Sequence, residues 1–258
     1  MAIPEFEPIA YSIAYYLIVL VLAELSRQLT ALLTETNSLL QKFLFEVIAT
    51  VQVVSCVYEN GHVAKHYGVL GFFFAVLSLV YIHIMVNRGA AVNPLVTLEN
   101  YAFQRIDSRT FFVLFAAELI GAFLAFRVTR AVWWLGLMKD HVAGYKAFRC
   151  VIKHKISYFY VALYEVVGCF LIRFFVGRAK NEYRRYVAAS STATLLSFAL
   201  YMIGVPGLNP IIALGRMYGC PGMSTFWFFT TYWLYNAIGW LTAAALLHWT
   251  TTDAKKRD

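Results

Sequence analysis

The sequence carries one motif twice: an Asn followed directly by a Pro and then by apolar residues. The copies read Asn93-Pro94-Leu95 and Asn209-Pro210-Ile211. Asn is a favoured residue immediately before a helix, and Pro suits the first helical turn, where its missing N–H is not needed. The Asn side-chain amide also donates hydrogen bonds. The motif therefore predicts two short helices whose positive dipole ends and amide groups face a passing polar molecule.

The chain around these motifs is strongly apolar. Of its 258 residues, 60% are hydrophobic and 14% are charged, whereas a soluble domain averages about 25% charged residues. Several apolar runs approach the roughly 20 residues that cross the hydrocarbon core of a bilayer. We therefore predict an all-α, polytopic membrane protein. The formal net charge is +8, but the basic residues are scattered between apolar runs, so we expect no binding of nucleic acid.

Apolar run length separates long segments from short ones. The long segments lie at about 9–25, 43–58, 67–86, 111–131, 159–177, 187–205 and 226–249. Two short stretches, at about 94–104 and 210–220, follow the Asn-Pro pairs and are too short to cross. We predict that they are re-entrant half-helices lining a cavity, because a broken helix is tolerated at membrane depth only there.

Beyond the first long segment, the chain divides into two repeats, each with three long helices and one half-helix. Three crossings per repeat invert the second repeat relative to the first, so both motifs approach the midplane from opposite faces. The predicted fold is six transmembrane helices and two half-helices, with an extra amino-terminal hydrophobic helix. The predicted units are 1–42 (extra segment and linker), 43–131 (first repeat), 132–158 (connecting loop), 159–249 (second repeat) and 250–258 (tail).

The four cysteines show no CxxC pair and no His partner at metal-binding spacing. Cys56 and Cys169 fall inside apolar runs and are expected to be buried packing residues. Cys150 and Cys220 fall in connections on the same side; two free thiols are favoured there, and a disulfide is the alternative. No catalytic constellation appears, so we expect no enzyme activity, cofactor or metal.

The paired motifs, the inverted repeats and an acid in the first helix of each repeat (Glu46 and Glu165) resemble the aquaporin, or major intrinsic protein, family over about residues 43–249. The family normally has Ala third in each motif, and its water channels place an Arg where this chain has Ile212. Two passages, Ala49-Thr50-Val51-Gln52 and Trp133-Trp134-Leu135-Gly136-Leu137, are similar to the unorthodox, superaquaporin branch of intracellular membranes.

The resemblance implies a passive channel for water and small uncharged solutes such as glycerol and hydrogen peroxide, assembled as a homotetramer in the lipid bilayer. Asn93 and Asn209 would donate to the solute, and Glu46 and Glu165 would accept hydrogen bonds from the half-helix loops. Ile212 in place of Arg predicts a broader, more apolar aperture. Family offsets place the selectivity constriction at Phe73, Ser197, Pro206 and Ile212.

Several alternatives stay open. Inverted repeats with membrane acids also occur in proton-coupled secondary transporters, in which Glu46 and Glu165 would carry protons. A non-conducting membrane scaffold of the same fold is the other alternative. Glu118 is a third acid, which is either buried or directed toward the interface. Leu95 and Ile211 either narrow the midplane or pack behind the half-helices.

The last four residues are Lys255-Lys256-Arg257-Asp258. Lysines at the third and fourth positions from the carboxyl terminus form a dilysine retrieval signal, which coat proteins read in the cytosol; it is an address and not an anchor. The alternative is a cluster of positive charge that orients the last helix. Together with the branch resemblance, the tail favours the endoplasmic reticulum or another intracellular membrane over the plasma membrane.

Overall fold

The computed structural model describes residues 6–205 and 207–255, which form helices, turns and loops with no strand. The helices are α1 (Phe6–Leu33), α2 (Leu39–Val86), α3 (Pro94–Ala102), α4 (Ser108–Trp133), α5 (Lys139–Ala147), α6 (Tyr158–Arg178), α7 (Arg184–Met202), α8 (Pro210–Met217), α9 (Thr225–Phe229) and α10 (Asn236–Lys255). A π-helical turn, Thr230–Tyr235, joins α9 to α10. Two residues of interest, Pro206 and Lys256, lie outside the described residues.

Helix α2 consists of two arms that fold back on each other at Gly68. The backbone there has φ 64° and ψ −159°, a conformation that glycine adopts far more readily than other residues. The side-chain amide of Gln52, in the first arm, lies 3.2 Å from Asn87 Oδ1 at the end of the second arm. The two predicted helices of this region are therefore present, and one glycine rather than a loop separates them.

Four helices are long and apolar enough to cross a membrane by length and composition among the described residues: α1, α2, α4 and α6. The 48 residues of α2 are enough for two crossings, since one crossing takes roughly 20 residues. The short α3 and α8 begin at the two Asn-Pro motifs, as predicted. The predicted all-α, polytopic architecture is confirmed.

The extra helix α1 packs antiparallel to the first arm of α2. The Tyr16 hydroxyl donates to Asn60 Oδ1 at 2.6 Å, and the Tyr15 hydroxyl donates to the backbone oxygen of Ser55 at 3.1 Å. At the other end of α1, Glu24 pairs with Arg88 at 2.5 Å. The amino-terminal segment thus forms a 28-residue helix along the bundle.

Equivalent glycines pack the helices of the two repeats. A Cβ on Gly121, in α4, would lie 2.9 Å from the backbone oxygen of Val47, in α2. A Cβ on Gly239, in α10, would overlap the backbone oxygen of Val166, in α6. Val47 and Val166 directly follow the two predicted support acids, Glu46 and Glu165. In each repeat, the helix that carries the acid therefore packs closely against the last helix of the same repeat.

The connection between the two repeats contains the short helix α5, which the apolar pattern did not predict. Lys65, just before the Gly68 turn, pairs with Asp140 of α5 at 2.7 Å.

Cys150 and Cys220 form a disulfide, so the expectation of free thiols there is wrong. Cys56 and Cys169 are free and buried, as expected. We call the face that carries the Gly68 turn, α5 and this disulfide the loop face.

Candidate functional site

The two motif asparagines cap the two half-helices in the same way. Asn93 Oδ1 accepts a hydrogen bond from the N–H of Leu95 at 3.1 Å, and Asn209 Oδ1 accepts from the N–H of Ile211 at 3.0 Å. Each cap uses the oxygen of the amide and leaves its NH₂ group to other partners. A proline follows each cap at the first helical position. Both half-helices therefore present amide donors at their positive ends.

The residue before each asparagine has a left-handed backbone: Val92 has φ 49° and Leu208 has φ 65°. This conformation is costly for residues other than glycine, and most costly for a β-branched one. Buried carboxylates hold both turns. Glu46 accepts from the N–H of Val92 at 2.6 Å, and Glu165 accepts from the N–H of Leu208 at 2.8 Å. Each repeat thus supports its own half-helix entrance with its own acid.

One continuous cavity of about 530 Å³ contacts both motif asparagines. Its wall is mainly apolar, with few polar side chains. The polar and charged side chains that line it are His83, Asn87, Asn93, Asn209, Thr192, Asn60 and Arg216. A wall of this kind lets a small uncharged solute exchange hydrogen bonds at separate points and excludes a hydrated ion between them.

Arg216 is a cavity residue that sequence reasoning missed. It lies one helical turn after Ile212 in α8, and both residues line the cavity. Its guanidinium lies over the rings of Tyr58, at 5.0 Å, and Phe148, at 5.3 Å, in the range of cation–π attraction. No carboxylate pairs with it among the described residues. The spacing of four residues from Ile212 is the signal that could have identified it, because such residues share a helix face.

The predicted constriction residues are only partly brought together. Ile212 lines the cavity, but Phe73 and Ser197 do not appear in its wall, which Phe72 and Leu196 line instead. Neighbouring residues on a helix point about 100° apart, so an offset of one residue turns a side chain away from the cavity. Pro206, the fourth position, lies outside the described residues.

The third residues of both motifs pack behind the half-helices. Leu95 is 3% exposed and Ile211 is fully buried, and neither lines the cavity among the described residues. Leu95 belongs to a core cluster with Cys169 and Trp240, where α3, α6 and α10 meet. Of the two alternatives for these residues, packing is the one that the structure favours.

Half-helix α3 is held by charges that the sequence reading left unpaired. Arg173, in α6, forms a two-point ion pair with Glu99, in α3, at 2.6 and 2.7 Å. The indole N–H of Trp240 donates to the same carboxylate at 2.8 Å. Arg173 lies within the apolar part of α6, where a charged side chain usually has a partner. Glu118 is fully buried beside α3, where its Oε1 accepts from the Thr97 hydroxyl at 3.1 Å.

The chain matches the family model described as Major intrinsic protein over residues 59–208. It is 34% identical to aquaporin-10 of Caenorhabditis elegans over 241 residues, which are 92% of this chain and 86% of that protein. It is 22% identical to aquaporin-11 of Milnesium tardigradum over 232 residues, 90% of this chain and 84% of that protein. Human aquaporin-11 is 26% identical over 204 residues, 76% of this chain and 74% of that protein.

The fold is similar to the X-ray structure of the aquaglyceroporin from Plasmodium falciparum. The TM-score is 0.59 and the sequence identity is 17%, over 81% of this chain and 95% of that chain. At this identity the similarity concerns the fold alone.

Proposed function

We propose that the chain passively conducts water and small uncharged solutes between Asn93 and Asn209, because it belongs to the major intrinsic protein family. Its similarity to aquaporin-11 proteins relates it to the aquaporin-11-like branch of that family. The members of this family are channels for water and small solutes, so the chain is an integral membrane protein. The observation that carries the finer proposal is that both motif asparagines lie on one continuous cavity. Each of them caps a half-helix whose positive end faces that cavity.

Both half-helix ends favour the oxygen atom of a solute over a cation. A water molecule that accepts from both amides turns its oxygen toward them, so the hydrogen-bonded chain of water reverses direction at that point. A reversed chain cannot relay a proton. The same two dipoles repel a cation at the centre, and Arg216 adds a fixed positive charge toward the loop face.

Two residues on one face of α8 give the aperture a mixed character. Ile212 is apolar and presents a surface to the carbon face of a polyol, whereas Arg216 donates hydrogen bonds one turn farther out. Arg216 therefore supplies, at a displaced position, the charge that Ile212 lacks. This combination supports glycerol and hydrogen peroxide as solutes beside water.

The contacts of the buried acids disfavour a proton-coupled transporter. Glu46 accepts from the N–H groups of Val92 and Ala91, at 2.6 and 3.0 Å, and Glu165 accepts from that of Leu208. Neither acid lines the cavity among the described residues. A carboxylate that holds a backbone turn out of reach of the cavity is a support for the half-helix, and protonating it would weaken that support.

For assembly and location we propose a homotetramer in the endoplasmic reticulum or another intracellular membrane, with the carboxyl tail in the cytosol. The disulfide at the loop face supports this orientation, because disulfides persist on the non-cytosolic side of a membrane. In the proposed topology α6, α7 and α10 would each cross once between that face and the tail, which would place the two on opposite sides of the membrane. The retrieval signal proposed at Lys255 and Lys256 would then be accessible to cytosolic coat proteins.

Stopped-flow light scattering on proteoliposomes tests the proposed conduction. Vesicles with the purified protein should take up water and glycerol faster than empty vesicles, with the same rates in the presence and absence of a pH gradient. Peroxide entry is followed with an enclosed fluorescent reporter. Uptake that requires a proton gradient would instead identify a coupled transporter, and rates equal to those of empty vesicles would identify a non-conducting scaffold.

A further inference from the structure

A cluster of metal-binding side chains lies at the loop face, where the sequence predicted no metal. Glu59 and His62 stand one turn apart in α2, and His141 reaches them from α5. One ligand atom from each of the three lies within 4.8 Å of the other two. Glu59 and His141 are fully buried, and the side chain of His62 is 17% exposed. Helix α5 brings together residues that lie far apart in the sequence.

The ring nitrogens of the two histidines have the arrangement that a bound cation needs. His141 Nε2 lies 3.1 and 3.0 Å from the two oxygens of Glu59. His62 Nδ1 faces the Asp140 carboxylate at 3.9 Å, while His62 Nε2 is buried with no hydrogen-bond partner in the described part of the chain. At 3.9 Å the Asp140 carboxylate is beyond hydrogen-bond distance of His62 Nδ1, and the unpartnered Nε2 is the nitrogen left for a metal.

The carboxylate of the cluster is also fixed in place. The Ser12 hydroxyl, from α1, donates to Glu59 Oε1 at 2.6 Å, and the indole N–H of Trp133 donates to Oε2 at 3.3 Å. The Trp133 ring stacks on the His141 ring with an angle of 21° between their planes. Donors to both carboxylate oxygens leave further lone pairs on each oxygen for a cation.

We propose that Glu59, His62 and His141 bind a zinc ion, with a fourth position left for water. One carboxylate and two imidazoles suit Zn²⁺, whereas Ca²⁺ and Mg²⁺ select oxygen ligands. Zinc binds an unprotonated Nε2, so the proton through which His141 contacts Glu59 must move to His141 Nδ1, and the imidazole stays neutral. Zinc bonds of 2.0–2.1 Å place tetrahedral ligands about 3.3 Å from one another, close to the 3.1 and 3.0 Å that already separate His141 Nε2 from the Glu59 oxygens.

The site would join three elements at the entrance of the cavity. Glu59 and His62 flank Asn60 and Gly61, both of which line the cavity. Zinc would therefore connect α1, through Ser12, and α5 to the wall of the candidate pathway. The proposal rests on the ligand geometry alone, and it holds or fails independently of which solute the cavity conducts.

Isothermal titration of the chelator-treated, full-length protein in detergent tests the site, with zinc as the probe. The wild type should bind one zinc ion per protomer, and Co²⁺ should give the visible absorption of a tetrahedral site. Removing one of three ligands in His62→Ala should weaken zinc binding about 100-fold or more. His154→Ala, which removes another histidine of the loop face, is the matched control and should bind like the wild type.

A second variant guards against a folding defect. Glu59→Gln keeps the size of the side chain and one acceptor oxygen for Trp133, while the Ser12 hydroxyl can turn to accept from the new NH₂ group, and the variant should also lose the zinc. Both variants should elute like the wild type on size exclusion, and added zinc should raise the melting temperature of the wild type and of His154→Ala but not that of His62→Ala or Glu59→Gln. A wild type without stoichiometric zinc, or folded His62→Ala and Glu59→Gln variants that bind zinc normally, would overturn the proposal.

Discussion

Asn209 donates a hydrogen bond from its side-chain amide to the backbone oxygen of Val92, at 2.8 Å. This bond joins the cap of the second half-helix to the residue before the cap of the first, Asn93. The two half-helix ends are thereby locked to each other. One of the two amide hydrogens of Asn209 is occupied, and the other stays available to a solute. The Asn93 amide nitrogen has no protein acceptor among the described residues, so the two caps contribute unequally to the cavity.

The first prediction concerns the charge of Arg216. Arg216→Gln should raise the leak of methylammonium through proteoliposomes roughly fivefold or more, because even about 1 kcal/mol of lost repulsion changes a rate by that factor. Arg216→Lys keeps the charge and should keep the leak low, although it loses the stacking on Tyr58 and Phe148. Arg184→Gln, at an exposed position, is the control. An equal leak in the Gln and Lys variants would contradict a role for the charge.

The second prediction concerns the apolar side of the aperture. Ile212→Arg should lower the rate of glycerol uptake relative to water, because a second large, hydrated cation enters the cavity one turn before Arg216. Ile212→Val removes one methylene and should leave the ratio close to that of the wild type. Both rates come from the same stopped-flow experiment. An unchanged ratio in Ile212→Arg would show that this residue does not border the path of the solute.

Local signals explain why the half-helices were predictable from sequence. An N-cap and a proline at the first helical position act within a few residues, and the structure starts α3 and α8 where those signals stand. The orientation of Phe72 and Phe73 had no local signal, since both are equally apolar and only packing decides which one faces the cavity. The contact of Glu59 with His141 depends on how the connecting loop folds, which sequence spacing does not encode.

The third prediction concerns the left-handed turn at Leu208. Glu165→Leu removes the carboxylate that accepts from the buried N–H of Leu208. The variant should be less stable by about 1–3 kcal/mol, which is measured as a lower melting temperature in detergent. Glu165→Gln keeps an acceptor oxygen and should cost less. Glu182→Leu, at an exposed position, should leave the melting temperature nearly unchanged. A Glu165→Leu variant as stable as the wild type would mean that the turn does not need the carboxylate.

The fourth prediction concerns the tail. Changing Lys255 and Lys256 together to Ser should release the protein to the plasma membrane if coat proteins read the dilysine signal. Surface biotinylation of transfected cells measures the released fraction. The matched control changes Lys180 to Ser, which removes a basic residue outside the tail. A surface fraction equal to that of the wild type would discard the retrieval signal and leave the channel proposal unaffected.

The measurement that tests the central claim most directly is solute uptake by Asn93→Asp and Asn209→Asp in proteoliposomes. Each change replaces an amide donor at the positive end of a half-helix with an anion, so it removes the hydrogen bond to the solute and cancels the local dipole. We expect the uptake of water and glycerol to fall about tenfold, or cations to enter. Asn181→Asp adds the same charge at an exposed loop and should conduct like the wild type. Normal assembly with wild-type rates in both motif variants would contradict a path between Asn93 and Asn209.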